Sequence, residues 1–343
     1  MTSRPNKKKT TIVDIAEASG VSVTTVSRIL NNKPDVAEET RQRVLRMMEN
    51  RGFARQSVWQ QIRSGKSRTI ALHFPQEFNL LAHRIIIAAA LECENAGYSI
   101  NIVVNPLTDS DLLTVFRAGE ADGMILLEIL TQDQRIEALR QEEYPFVMIG
   151  RCADNTGLNF VDIEIEHGIQ TAMQHLVDLG HRHVGFITVA PQVEDGGYGY
   201  GTWALRSYEL ACRHHGLPAL WRAAEGMAGD TAAKVEALLD EHPEITAIVT
   251  PHEDCVIGVL NAVRAKGLRI PEDLSLVGLL TESMGELATP PMTTISFPSD
   301  ELGRAAARIL LSRLNGTLTA AQQILIRPQL TVRGSTGPAK RHG

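Results

Sequence analysis

From Thr69 onward the chain alternates between short, continuously apolar runs and stretches with helical period. The runs are TIALHF, YSINIVV, GMILL and PFVMIG, then HVGFIT, WRAA, AIVT, LSLVGL and TTISF. Helical patterns fall between them near 80–96, 109–118, 132–142, 166–179, 202–215, 230–240, 254–266 and 300–314, with further strands within Gln323–Val332. A run that is apolar at every position, rather than at every second one, marks a strand buried on both faces. With a helix after each run, the pattern is that of βαβ units in a parallel sheet. The pattern is too long for one comfortable sheet. It predicts two doubly wound parallel-sheet lobes with a cleft between them, and ligands in such sheets sit outside the carboxyl ends of the strands.

Ahead of this core lies TIVDIAEASGVSVTTVSRILN, Thr11 to Asn31. At a period of 3.6, Ile12, Ile15, Ala16 and Ser19 share one side of a short helix. Gly20 breaks it, and Ser22 can cap a second helix over Val23–Leu30. That helix has Val26, Ile29 and Leu30 as its apolar stripe, with Thr24, Thr25, Ser27 and Arg28 outside. Two short helices joined by a tight turn containing Gly form a helix-turn-helix pattern. A third helix is expected from about Val36 to Asn50, with Asp35 and Glu38 at capping-box spacing, Val44, Leu45 and Met48 facing inward, and Phe53 closing the small core.

Charge separates the two regions. The net charge is -6, but residues 1–68 hold 14 Lys and Arg against 6 Asp and Glu, and the remaining 275 hold 20 against 34. A basic module on an acidic body suits one part that meets a polyanion and one that does not. No apolar run approaches the ~18 residues of a membrane span, and the basic Met1–Thr10 is not followed by an apolar segment. The expectation is a cytoplasmic protein without signal peptide or membrane contact. Cys93, Cys152, Cys212 and Cys255 are widely spaced and fit reduced thiols. The histidines 175, 181, 183, 214 and 215 match no strong zinc spacing. No Ser-His-Asp set, HExxH or phosphate-loop motif stands out, so no metal, cofactor or enzymatic activity is expected.

The headpiece stretch, followed in order by LGHRHVGFI, GLRIPEDLSLVG, ATPPMTTISFPSDELGRAAARILL and LTVRGST, resembles the lactose-repressor/galactose-repressor (LacI/GalR) family of bacterial transcription factors over essentially the whole chain. The resemblance implies a small all-α helix-turn-helix headpiece plus an α/β core of two doubly wound, periplasmic-binding-protein-like lobes. The domains expected are a basic arm at 1–10, the headpiece at 11–53, a hinge at 54–68, the two-lobed core at 69–335 and a tail at 336–343. The N-lobe would comprise 69–163 and 293–325, and the C-lobe 164–292 and 326–335. The partners implied are double-stranded operator DNA, a second copy of the chain (as a dimer or a dimer of dimers), and a small carbohydrate or carbohydrate-derived effector in the cleft. A solute-binding protein of the same core fold is the alternative, but it leaves residues 1–68 unused.

By the same resemblance Val23, Thr24 and Arg28 face base edges, while Thr11, Ser22, Thr25, Ser27 and Asn31 meet phosphates, fixing register more than sequence. In the hinge, Ile62 stands where the family wedges a Leu into the minor groove. Trp59 stands nearby where a close helix pair wants Ala, either packing on the body or assisting intercalation. In the cleft, Arg151 at the end of PFVMIGR is an effector ligand or a lobe-interface ion pair. Glu128 after GMILL is a cleft carboxylate or a loop one, and His73 in TIALHF joins the set. Three family features are altered. The C-lobe Arg is Ala204, beside Ser207-Tyr208. The family's Gly-Phe-Asp-Asp reads Gly278-Leu279-Leu280-Thr281, and the usual Asn-Asp reads His252-Glu253. Glu282, Trp203, Tyr200 and His252 are the candidates to substitute, Tyr200 and Trp203 by stacking on a sugar face or else by packing. The stretch Glu194–Gly201, EDGGYGYG, is expected to be a flexible loop on the cleft side.

Overall fold

The computed structural model describes residues 11–30, 33, 36–51, 67–74, 80–103, 109–189, 197–224 and 228–340. The basic arm, Asn31, Asp35, Phe53, Trp59, Ile62 and the first part of the 194–201 loop lie outside these residues. The chain divides into two compact units, Met1–Thr69 with Val115–Asp122, and Ile70–Thr114 with Gly123–Gly343.

In the first unit, α1 (Ile12–Ser19), α2 (Val23–Leu30) and α3 (Glu38–Asn50) enclose a core of Ile15, Ala16, Val26, Ile29, Val44, Leu45 and Met48. These are the positions the 3.6-residue period puts inside. The helix ends are built from short polar residues. Thr11 and Asp14 form a reciprocal capping box at α1, the Asp14 N–H donating to the Thr11 hydroxyl at 3.3 Å and the Thr11 N–H to the Asp14 carboxylate at 2.7 Å. Gly20 closes α1 in the left-handed conformation at φ 66°, a region that costs a residue with a Cβ. At α2 the Thr25 N–H donates to the Ser22 hydroxyl at 3.0 Å, the cap expected from the sequence. The third helix begins at Glu38 rather than at Val36.

The second unit holds two six-stranded sheets. The first contains β1 (Thr69–His73), β2 (Ser99–Val103), β3 (Gly123–Leu126), β4 (Phe146–Ile149), β5 (Phe160–Ile163) and β11 (Gln323–Ile326), in the order β11-β5-β4-β3-β1-β2. The second contains β6 (Val184–Val189), β7 (Leu220–Ala224), β8 (Ala247–Thr250), β9 (Ser275–Leu280), β10 (Thr293–Ser296) and β12 (Leu330–Thr331), in the order β12-β10-β9-β8-β6-β7. Every pair with a determined register is parallel except β10 with β12. β3, β4, β5, β6, β8 and β9 are buried along their whole length, as expected of mainly apolar runs, with Asp162 of β5 the one ionisable residue among them. The exposed strands β2 and β11 are the two edges of the first sheet.

Helices cover the sheets: α4 (Leu80–Asn95), α5 (Asp109–Arg117), α6 (Gln134–Gln141), α7 (Ile165–Asp178), α8 (Gly199–His215), α9 (Ala228–Glu241), α10 (Glu253–Ala265), α11 (Glu282–Leu287) and α12 (Ser299–Leu314). Helix α12 packs on α4 over the first sheet, and the pair is pinned at its rim by Arg84–Asp300 and Arg308–Glu92. One expected boundary shifts. Residues 293–296 had been placed with the N-lobe, but β10 pairs with β9 and so belongs to the second sheet. The chain returns to the first lobe only at α12, because Ile295 faces the second lobe's core whereas Leu302, Ala306 and Leu310 face the first's.

Candidate functional site

The outer face of α2 is the first candidate. Val23, Thr24 and Arg28 are exposed over a stripe whose Val26 and Ile29 are fully buried, so the inner residues fix the direction of the outer ones. Thr25 and Ser27 are half-buried beside them. The first turn of α2 carries no acidic residue. Its N–H groups therefore present uncancelled partial positive charge, which favours a phosphate. Ser22 holds the helix start through the Thr25 N–H and hydroxyl, and Thr11 holds that of α1. Of the residues expected to meet DNA, Asn31, Trp59 and Ile62 lie outside the described residues.

The second candidate is a cavity of about 90 Å³ at the carboxyl ends of both sheets, between the two lobes of the second unit. Its wall is mainly apolar, with Leu81 and Ile85 of α4, Leu127 after β3, and Phe297 after β10. Among the described residues four polar side chains line it: Glu128, Asp162, Tyr200 and His252. Glu128 follows β3 with φ at 53°, a left-handed conformation that costs a residue with a side chain about 1–3 kcal/mol and is kept where the surroundings enforce it. Burial pushes its carboxyl up to about 7, against the opposing pull of a hydrogen bond from Tyr200 and the charge of Arg135. Asp162 at the end of β5 is likewise pushed up to about 7 by burial, opposed by Arg151 and the Ile163 N–H. Burial lowers His252, so the imidazole is neutral at pH 7. Tyr198, Tyr200 and His252 stack in a row with centroids 5.5 and 5.6 Å apart.

The stretch that carries Tyr198 and Tyr200 clasps the first lobe. The Gly199 N–H donates to the Ile129 carbonyl at 3.0 Å, and the Thr131 N–H to the Gly197 carbonyl at 3.0 Å. A Cβ on Gly199 would stand 2.8 Å from the Arg151 carbonyl oxygen, so only glycine allows this approach.

Not all the expected effector residues converge. Glu128, Tyr200 and His252 line the cavity. Arg151 is set back from it, ion-paired with Asp162 at 3.3 Å and with Glu166, its guanidinium 5.1 Å from the Trp203 ring centre. Trp203 therefore packs against a cation rather than presenting a face to the cavity. His73 is fully buried behind the wall, with its Nδ1 3.0 Å from Arg135, which also binds Asp133 and the Glu128 carbonyl. Glu282 is a correction. One oxygen accepts from Ser296 and Thr331, each at 2.8 Å, and the other pairs with Arg333. Its position beside the antiparallel β10–β12 pair spends it on structure. Ala204 is fully buried, and the Thr281 hydroxyl accepts the Met284 N–H to cap α11, so no charge reaches the cleft from those two positions. The residues missed from sequence are Asp162 and Arg135. Asp162 has a legible signal, a carboxylate set inside the otherwise apolar run FVDI. Arg135 has none, because only the fold brings helix α6 under β3.

Comparison with known proteins bears on both candidates. The description "Bacterial regulatory proteins, lacI family" matches residues 11–56, and "Periplasmic binding protein-like domain" matches 173–336. The HTH-type transcriptional regulator reg1 of Streptomyces lividans is 30% identical, over 96% of this chain and 97% of its own. The chain belongs to the LacI family. The HTH-type transcriptional regulator DegA of Bacillus subtilis is 27% identical over 96% of this chain and 99% of its own. The solved structure of the transcriptional regulator CelR–cellobiose complex superposes with a TM-score of 0.72 at 25% identity, over 95% of this chain and 99% of that one. The Lac repressor dimer bound to operator and the anti-inducer ONPF has the same fold, with a TM-score of 0.75 at 22% identity, over 96% of this chain and all of that one. The protein is thus a LacI-family DNA-binding transcriptional regulator with an effector domain of the sugar-binding type, and not an enzyme. Among the described residues no helix is long and apolar enough to cross a membrane.

Proposed function

We propose that this LacI-family regulator represses a carbohydrate-utilisation operon by binding a palindromic operator as a dimer. A small carbohydrate or carbohydrate-derived effector in the inter-lobe cavity controls it. The observation that carries the DNA half is the α2 face, where Val23, Thr24 and Arg28 stand exposed above a buried Val26–Ile29 stripe. Arg28 has the planar fork suited to guanine O6 and N7, and Val23 the apolar surface for a thymine methyl. Thr11, Ser22, Thr25, Ser27 and Asn31 set the register against phosphates, and Ile62 and Trp59 act at the minor groove. The effector half is supported by a cavity at the strand ends and by a relative solved with cellobiose. Glu128, Tyr200 and His252 contact the effector, and Arg151 acts through Asp162.

The test is binding of the full chain to DNA from upstream of its own gene. Specific binding should weaken steeply with salt through counterion release. Arg28→Ala should cost about 1–3 kcal/mol of specific affinity while leaving non-specific binding nearly unchanged. An equal loss on specific and unrelated DNA would remove Arg28 from the base-reading role. The absence of any specific complex would overturn the reading.

A further inference from the structure

The polar groups at the cavity are unbalanced in sign. Glu128 and Asp162 line it, and Glu253 and Asp254 act on Glu128 from α10, Glu166 on Asp162 from α7. Asp133 stands behind them on Arg135. Against these six carboxylates stand two guanidiniums, and both are engaged elsewhere. Arg135 gives its N–H groups to Asp133, to the ring of His73 and to the Glu128 backbone carbonyl. Arg151 is held by Glu166 and Asp162. Arg206 also lies over Trp203, but it is exposed and does not line the cavity.

The two lining carboxylates differ in how well they are matched. Asp162 has Arg151 at 3.3 Å and the Ile163 N–H at 2.8 Å. Glu128 has the Tyr200 hydroxyl, but its Oε2 is buried without a hydrogen-bond partner among the described residues. A buried acceptor left in that state is costly unless something donates to it. Tyr200 and His252 line the cavity beside it, their rings stacked on each other, and neither is a cation that would balance the carboxylate.

Resting on the effector-cleft reading above, we propose that the ligand presents a protonated amine to this cavity, with the ammonium donating to Glu128 Oε2 and its carbon body against Leu81, Ile85, Leu127 and Phe297. The cavity's ~90 Å³ is below the ~150 Å³ of an engineered apolar cavity that holds benzene. The seated part is therefore the amine and a few carbons, as in an amino sugar entering by its amine end or a small amino alcohol. A carboxylate in the same place would face Glu128 and Asp162, and among the described residues no cation lines the cavity to receive it. A sugar acid is therefore the poorer match. Binding displaces the proton that burial favours on Glu128, so affinity rises with pH through the region near 7.

The test uses matched probes on the full chain by calorimetry at pH 8: glucosamine, glucose and glucuronate, and ethanolamine, ethylene glycol and glycolate. At least one amine should bind, with its alcohol and acid counterparts weaker by about tenfold or more, the size of a charge-assisted hydrogen bond. Glu128→Gln should remove that preference, whereas Glu282→Gln, outside the cavity, should keep it. Binding of a neutral or acidic probe equal to or tighter than its amine would overturn the assignment. So would amine binding indifferent to Glu128→Gln, or no amine binding up to about 10 mM. Operator affinity measured in parallel separates this result from the effector reading. A tight neutral ligand that changes operator affinity sinks the amine and keeps the effector cleft. An amine that binds through Glu128 without changing operator affinity does the reverse.

Discussion

The headpiece and the cleft handle polar groups in opposite ways. In the headpiece, seven buried apolar residues hold three short helices, Ser19 is buried with its hydroxyl on the Ile15 carbonyl, and the caps and the outer face of α2 carry polar residues nearer the surface. Among its described residues nothing ionised is fully buried, and Arg28 is exposed. In the cleft, Asp162 is buried and Glu128 half-buried with its Oε2 fully so, both carboxyls are pushed up to about 7, and Glu128 sits at a left-handed φ as well. The headpiece stores its recognition in exposed geometry. The cleft stores it in unfavourable desolvation that a ligand relieves. Stability and function should therefore move together under mutation in the headpiece and apart in the cleft.

The largest effect expected is in the headpiece. Ile29 is fully buried in a core of seven side chains, and Ile29→Ala should cost about 2–5 kcal/mol. A module of this size has little stability to lose. Operator binding should disappear with the headpiece's own unfolding transition, while melting of the core and effector binding stay unchanged. If effector binding fell as well, the two units would not be energetically separate.

Glu128→Gln probes the other side. The unfolded-state value near 4.5 lies below the folded one of about 7, so the native state holds the proton more tightly. Stability of the wild type then falls as pH rises from about 4.5 to 7, and the whole cost is present above 7. Gln carries no charge and can still accept from Tyr200. It should match the wild type near pH 4 and exceed it by up to about 3 kcal/mol at pH 8, read from denaturant unfolding of the core. The same substitution should remove the preference for the amine over its neutral and acidic counterparts. A variant destabilised at pH 8 would mean that Glu128 supports the structure rather than straining it.

Legibility in sequence follows the same division. The α2 face could be read because every determinant lies within some twenty residues at a fixed period, and local spacing alone decides which side chain is inside. Unbroken apolar runs likewise announced the buried parallel strands. The cleft depends on side chains from β3, β5, α8 and β8, whose relative placement is set by two sheets closing on each other. Residue type could point to Glu128, Tyr200 and His252. It could not show that Arg151 would be consumed by Asp162 and Glu166, or that Glu282 would be consumed by Arg333. A cation's availability depends on its neighbours, and these come from distant parts of the chain. The N-lobe boundary failed for a related reason: TTISF reads equally well as a strand of either sheet until its pairing with β9 is known.

The smallest effect is the most specific to the headpiece's design. The Ser22 hydroxyl accepts the Thr25 N–H at 3.0 Å and lies 2.9 Å from the Thr25 hydroxyl. Ser22→Ala removes a cap worth about 1 kcal/mol, and Ser22→Asp restores a cap while placing a negative charge where a phosphate is expected. If the residue only caps, both folding and operator binding should recover in Ser22→Asp. If it also meets the backbone of DNA, headpiece melting should recover while operator affinity falls below that of Ser22→Ala, most strongly at low salt. Thermal melting of the headpiece and binding titrations at two salt concentrations separate the cap from the contact, since only the second depends on screening.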